Sequence, residues 1–541
     1  MGAAGLGAAA LIGCSSTKKD EPAPVAKGAS GTPTAPQAKR RGGVLKTSMV
    51  ADPPGWGLFQ AASSTVQVQS YAYDKLLDVA TGPGKNAYNV ELIPQIAQAL
   101  PEKPDATTYV FKIRQGVKFQ NVAPVNGRPM TAEDVKKSID TLRENKQWAG
   151  DFGAVTEVTT PDATTVRITT KSPYAPLLNL SAGHYGWRIH PKEIIDSKDH
   201  EKTAIGTGPY IRSEWTQGSK IVFKKNADYW NKDAVANVDE IQYLVIPDQA
   251  AMAAAFRTKQ IDILTVPLGA ALTQDLRKQV GKDATEQRAL GNSPWIAMNT
   301  TKPPFSDVRV RQAVALLYNR AAEVASVHLG DADPQGTALL PYPDALKPKD
   351  LPDMVKFMKN DVAEAKKLLA AAGFANGFKT EIAITPQYFT NAGYQDSVER
   401  FVGDLKQGGI DATTKSTEYG VWIGSIYRPP FNFDGILWGP GRYYADPDPY
   451  VAYWLHPKGI ANQSRVNDTA MTALVEKQAT QVQPKERWET LKEIQRLEAK
   501  NAWYIWRVTP EASVFVQKRV HDFARHEGYD SHEFWSAWVD A

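Results

Sequence analysis

A chain of 541 residues with a single cysteine, Cys14, can form no internal disulfide and no cysteine-based zinc site. Its fold must rest on packing, and the length leaves room for two or three domains. Hydrophobic residues at 42% and aromatics at 10% mark a globular composition. Lys and Arg number 63 against 59 Asp and Glu, and they are scattered, so no polyanion is expected as a partner and nucleic acid binding is excluded. Beyond the N-terminus no stretch is long and apolar enough to span a bilayer.

Cys14 ends the run Leu11-Ile12-Gly13-Cys14, after a small Ala/Gly-rich stretch and before Ser15 and Ser16. This run resembles the lipobox of bacterial lipoproteins. The resemblance implies that the Cys14 thiol carries diacylglycerol and begins the mature protein, tethering it to the outer face of the cytoplasmic membrane, on the periplasmic side. The alternative is a small buried hydrophobe. Export signals open with a basic stretch, and Met1 to Ala10 carries no charge, so the leader is expected to extend beyond Met1. Residues 15–42, rich in Pro, Ala, Gly and Lys, read as a disordered linker.

After the linker, strands and helices mix. Tyr109, Phe111 and Ile113 alternate with polar residues as a half-buried strand, and Gly116 marks a turn or bulge before Val117 and Phe119. Asn126-Gly127-Arg128-Pro129 reads as a turn, Thr131 and Asp134 as a near capping box, and Val135, Ile139 and Leu142 as one helical face. Further strands are expected at Val166–Ile168, Ile221–Phe223 and Ile241–Val245. Helices should begin near Asp307, Asn360 and Pro484, the second of these stopping at Gly373. Separate strand clusters in an α/β chain predict more than one sheet, without the regular alternation of a barrel.

No complete catalytic signature is present. There is no Gly-x-Ser-x-Gly elbow and no phosphate loop, and Gly206-Thr207-Gly208 lacks the third glycine of a dinucleotide site. His526 and His532 are six apart and would not share a helix face, so no zinc is expected. Asp446-Pro447-Asp448-Pro449 does not match a calcium loop. The chain is therefore expected to hold no metal or cofactor and to catalyse nothing. A two-carboxylate hydrolase stays open as the alternative, because such partners can lie far apart in the chain.

Several segments then point one way. Ile93-Pro94-Gln95-Ile96-Ala97, the run Tyr109 to Phe119, and Asn126 to Val135 succeed one another. Gly206-Thr207-Gly208-Pro209-Tyr210 follows, then Asn226 with Tyr229-Trp230, Val308-Arg309-Val310-Arg311-Gln312-Ala313-Val314, and Trp438 with Asp446-Pro447-Asp448. This ordered set, spanning about 43–541, resembles the family 5 solute-binding proteins of ATP-binding-cassette importers of peptides, nickel chelates and some oligosaccharides. The resemblance implies an α/β fold of the periplasmic-binding-protein type II, or cluster C, kind. It has two hinged lobes and an extra domain: lobe I from 43–78, 191–270 and 508–541, the extra domain from 79–190, and lobe II from 271–507. It also implies a monomer that binds a peptide, with oligosaccharide or metal chelate as alternatives, and passes it to permease subunits. A chemosensory variant would hand the same ligand to a sensor.

Ligand is expected between the lobes. The implied contacts are Trp438, Tyr443, Tyr444 and Asp446 on the late segment, Arg188 and Trp148 where the extra domain nears the cleft, and Phe59 in the first cleft loop. Aromatic planes supply rigid contact, and Arg or Asp fixes a charged group. Each has a plainer role too: core packing for Trp438, a structural ion pair for Arg188, a turn cap for Asp446. One departure bears on the cargo. Peptide-binding members carry an Asp soon after that Trp, which pairs with the peptide amine; Tyr443 stands in that place here, and the spacing to Asp-Pro is longer.

Overall fold

The computed structural model describes residues 42–58, 63–88, 90–145, 152–183, 187–197, 199–232, 237–337, 339–340, 342–385, 393–441, 444–527 and 534–540. Arg40–Ala541 forms one compact unit. Among the described residues no helix is long and apolar enough to cross a membrane.

Four sheets of three or more strands organise the described residues. In the first, β1 (Val44–Met49) lies parallel to β9 (Glu240–Val245), which continues antiparallel to β8 (Lys220–Lys225) and β7 (Tyr210–Thr216). In the second, β18 (Thr509–Gln517) lies between β10 (Ile263–Leu264) and β11 (Ala284–Leu290), with β13 (Ala332–Asp333) on its first residues. The third has the order β15 (Ile410–Ser416), β14 (Phe378–Ile384), β16 (Ile436–Gly439), β12 (Trp295–Met298), β17 (Tyr504–Trp506). A smaller sheet joins β4 (Thr108–Lys112), β6 (Thr165–Thr170) and β5 (Val155–Asp162). Two pairs complete the set: β2 (Leu77–Val79) with β3 (Leu92–Pro94), and β19 (Val520–His521) with β20 (Trp538–Val539). The expected strands at 109–113, 166–168, 221–223 and 241–245 are all present. β11 and β13 lie inside the segment expected as lobe II, yet both pair with β18, so the chain changes sheet at 291–294 rather than near 271.

The smaller sheet carries the helix Ala132–Glu144 on one face, and Val135, Ile139 and Leu142 bury there with Phe111, Val166 and Ile168. Each such side chain removed from water contributes about 1.5–3 kcal/mol. The helix starts where the sequence placed it. The Asp134 carboxylate accepts from the Thr131 backbone amide at 2.9 Å, and Arg128 grips the same carboxylate with both terminal nitrogens. Helices also begin at Val308, capped by Asp307, at Val362, capped by Asp361, and at Pro484. Gly373, at φ +91°, takes the left-handed turn that ends the second of them. The third sheet is covered on both faces. One layer holds Trp295, Trp422, Trp454, Tyr504 and Trp506; the other holds Val314, Phe401, Leu405, Ile410 and Trp438.

Three of the sequence motifs meet at one buried carboxylate, Asp74. It accepts from Gln95 Nε2 at 2.9 Å, Thr207 Oγ1 at 2.9 Å, Tyr229 Oη at 3.2 Å and Trp230 Nε1 at 2.8 Å. The glycines flanking Thr207 are needed for close approach. A Cβ on Gly206 would stand 2.2 Å from the Ala72 carbonyl oxygen, and one on Gly208 2.5 Å from that of Tyr71. A further motif arginine, Arg311, is buried and donates to the carbonyls of Phe305, Ser306 and Asn501.

Candidate functional site

Two of the chain's passages between the second and third sheets are short. β11 runs through Gly291-Asn292-Ser293-Pro294 into β12, and β17 runs through Arg507-Val508 into β18. The crossings are bonded to each other: Gly291 N donates to Pro510 O at 2.8 Å, Arg507 N to Pro294 O at 2.9 Å, and the Ser293 and Thr509 hydroxyls lie 2.8 Å apart. Beside them lies a topological switch. From β14 the chain passes through the helix Tyr394–Gln407 to β15 on one side, and from β15 it crosses to β16 on the other. Open α/β sheets leave a crevice at the carboxyl ends of such strands. Here those ends are Thr385, and Gly439-Pro440-Gly441. Gly441 is tied to the crossing, since a Cβ there would fall 2.2 Å from the Asn292 carbonyl oxygen. The Asn292 Oδ1 is buried without a partner.

Trp438 ends this strand on the apolar side and is fully buried. The Arg507 guanidinium lies 3.6 Å from its ring centroid, Phe401 lies 5.1 Å away, and its carbonyl accepts from Tyr394 Oη at 3.1 Å. Tyr444 is buried edge-on to Tyr450 and Tyr453, and its carbonyl accepts from Tyr342. Arg188 is 5% exposed and donates to Val66 O at 3.4 Å. Tyr443, Trp148, Phe59 and Cys14 lie outside the described residues. The structure thus brings Trp438, Tyr444 and Asp446 onto one segment and sets Arg188 in another part of the fold.

Asp446 is wholly enclosed, and both its oxygens are taken. Arg487 grips it with both terminal nitrogens, one at 2.9 Å. Asn179 Nδ2 donates at 2.8 Å, and the Asp448 amide closes the expected turn at 2.8 Å. Burial works to raise its carboxyl, but Arg487 outweighs burial and holds it below the usual range. Asp448 has no such grip: burial, and then the Asp446 charge, push it up to about 6. These residues also meet the segment expected to belong to the extra domain. Besides Asn179, Tyr174 Oη donates to Asp448 at 3.4 Å, and Ala175 N to Ala479 O at 2.8 Å.

Arg507 was not among the expected contacts. It is the lone charge in the aromatic run Trp503-Tyr504-Ile505-Trp506-Arg507-Val508, and that was the available signal. Its neighbours are Glu323, which it meets at 3.4 Å, and through Glu323 the Ser397 hydroxyl at 2.8 Å and His328 at 3.6 Å. Burial works to raise the Glu323 carboxyl, but His328, Arg507 and Ser397 hold it at about 2. Arg320 is buried next to them, donating to the Trp506 carbonyl at 3.1 Å. It borders a cavity of about 30 Å³ with Glu498, whose carboxyl burial pushes up to about 7. Among the described residues no group of His, Cys, Asp and Glu could hold a metal ion.

Against known proteins, residues 91–462 match the family described as bacterial extracellular solute-binding proteins, family 5 Middle. The glutathione-binding protein GsiB of Escherichia coli strain K12 is 27% identical over 331 residues, 60% of this chain and 61% of GsiB. The match thus spans about three fifths of the length of that curated relative. Among solved structures, the periplasmic binding protein DppA of Helicobacter pylori with peptide STSA superposes with a TM-score of 0.78 at 23% identity, covering 93% of this chain and 99% of that one. AgaA of A. tumefaciens R10 with agropinic acid gives 0.78 at 22%, covering 92% and 99%. AppA of Bacillus subtilis with a nonapeptide gives 0.77 at 20%, covering 93% and 100%. At these identities the likeness is one of fold, and it agrees with the expected periplasmic-binding-protein type II architecture. Since the family match covers more than half of the sequence and the fold agrees along nearly all of it, the chain belongs to the bacterial extracellular solute-binding proteins of family 5.

Proposed function

We propose that this protein is the extracytoplasmic receptor of an ATP-binding-cassette importer, capturing peptides or peptide-sized solutes between two lobes and passing them unaltered to permease subunits. The observation that carries the reading is the pair of short crossings at 291–294 and 507–508, bonded to each other, beside the longer passages to β13 and back. Two short connections between sheets can absorb a rotation while each sheet keeps its own core. The names of similar proteins support the cargo class: glutathione for GsiB, peptide STSA for DppA, a nonapeptide for AppA. In this reading lobe I holds the first two sheets, lobe II the third, and the extra domain the smaller one. The protein acts as a monomer, without catalysis, anchored to the membrane through lipid on Cys14 and a polar linker.

The test is mass spectrometry of small molecules carried through purification, followed by a thermal-shift screen of peptides, glutathione and oligosaccharides. A true solute at a hundred times its Kd adds about 2.7 kcal/mol of stability. A rise with peptides and recovery of the solute intact support the reading. A rise with oligosaccharides alone overturns the cargo class, and conversion of the solute overturns the receptor itself.

A further inference from the structure

We infer that the segment Tyr174–Asn179 is a latch, holding the domain of the smaller sheet against the lobe of the third sheet through Asp446, Asp448 and Ala479, and that shutting it places a proton on Asp448. The inference rests on the receptor reading above and adds a regulation to it.

Two bodies meet at this segment. The domain of the smaller sheet is fastened to the first sheet. Its Gln95 shares the Asp74 carboxylate with Thr207, Tyr229 and Trp230, and its Gln120 Nε2 donates to the Tyr210 carbonyl at 2.6 Å. The third sheet is attached through the short crossings at 291–294 and 507–508. A rotation that opens the lobes there carries Asp446, Asp448 and Ala479 away from Tyr174, Ala175 and Asn179.

The border between the bodies is polar. Tyr174, Leu177 and Leu178 pack in one apolar core with Phe111 and Ile168, whereas Tyr444, Tyr450 and Val451 pack in another with Trp295 and Trp454. Between the cores stand the bonds of Asn179 to Asp446 at 2.8 Å, Tyr174 to Asp448 at 3.4 Å and Ala175 N to Ala479 O at 2.8 Å. Gly183 closes up on Ala445, whose Cβ lies 3.5 Å from where a Cβ on the glycine would stand. Polar contacts of this kind exchange for water at little net cost when two domains part. The lobe half is built independently of the latch, since Arg487 grips Asp446 and Gln478 donates to Asp448 from within the same lobe.

Asp448 couples the latch to pH. It is faced by Asp446 from its own turn, by Gln478 from the helix Thr469–Thr480, by Arg487 from the helix Pro484–Asn501, and by Tyr174 from across the border. With the latch shut, burial and then the Asp446 charge push its carboxyl up to about 6. Parting takes away the Tyr174 side of the enclosure and admits water, which returns the carboxyl toward an ordinary 3.8. The shut form therefore holds the proton more tightly. Its advantage is complete below the ordinary value and lost as pH rises through 6.

The experiment measures spin-label distances in the full chain. Cys14 is the single cysteine, so labels on Glu157→Cys and Lys379→Cys, two exposed positions on β5 and β14, are placed uniquely in a Cys14→Ser background. Without solute, the ratio of short- to long-distance populations should rise about tenfold from pH 8 to pH 5, as carboxyls at about 6 and 3.8 require. Asp448→Asn should abolish that response. Asn179→Ala should lower the ratio about fivefold at both pH values, the worth of one net hydrogen bond, and keep the response. A ratio indifferent to pH, or a response that survives Asp448→Asn, overturns the inference. If Ser-Thr-Ser-Ala then still shortens the distance, the receptor reading stands; if neither pH nor peptide moves it, the peptide-receptor reading falls as well. If Asp448→Asn does not fold, the wild-type response and its persistence at a lower ratio in Asn179→Ala decide.

Discussion

Replacing Asp446 by Asn keeps the shape of the side chain and removes its charge. In the structure this carboxylate is fully enclosed, accepts two bonds from Arg487, and binds Asn179 and the Asp448 amide. Breaking a buried ion pair from one side costs about 3–5 kcal/mol, because the other charge stays behind without compensation. Arg487 would keep its Nε bond to Gln478 Oε1 at 3.0 Å and one charged neighbour, Asp448, whose carboxylate already takes Gln478 and Tyr174, so the loss should fall at the lower end, about 3 kcal/mol. Equilibrium urea denaturation at pH 7.5 reads this as a lower midpoint at unchanged slope. The double variant Asp446→Asn/Arg487→Met removes the stranded charge and should recover at least about 1 kcal/mol relative to the single variant. A single-variant loss under about 1 kcal/mol, or a double variant no more stable than the single, would refute the assignment of Asp446 as a buried anchor.

Three further outcomes are expected. Glu498 is pushed up to about 7 from an ordinary 4.5, so its stabilising effect is complete below pH 4.5 and lost as pH rises through 7. Asp448, at about 6, acts in the same direction. The melting temperature should therefore fall between pH 5 and pH 8, and Glu498→Gln should flatten that slope and add about 3 kcal/mol at pH 8. Gly441→Ala sets a methyl against the Asn292 carbonyl oxygen, 2.2 Å away by the undisturbed backbone, and should destabilise by about 1–3 kcal/mol while weakening solute binding in the same thermal-shift screen. Asp74→Ala strands four donors, three of them buried, and should lower stability by about 3 kcal/mol or more, measured by chemical denaturation; a loss below about 1 kcal/mol would contradict the role given to that carboxylate.

What could be read directly from the residues was local. The alternation at Tyr109 to Ile113, the Asp134 link to Thr131, the Asp307 cap and the Gly373 stop each depend on neighbours within a few positions, and each formed as expected. The late segment was legible as a place but less so as chemistry. Asp446 was weighed as a ligand contact or a turn cap; its turn bond to Asp448 spans two residues, whereas its partners Arg487 and Asn179 stand 41 and 267 residues away. No periodicity encodes such distances. The same holds for the crossings, where Ser293 meets Thr509 across 216 residues, and for Arg507, whose burial depends on Trp438 and Glu323 being folded against it.

The gathering of Gln95, Thr207, Tyr229 and Trp230 around Asp74 has a bearing on how such chains can be sorted. Those letters make the sequence recognisable at a distance, yet here their polar atoms are consumed in fastening one stretch of backbone to another. A resemblance built on them identifies the chassis and is silent about the freight. Two proteins could share every one of these letters and carry unrelated molecules, because here the letters serve to fasten backbone to backbone.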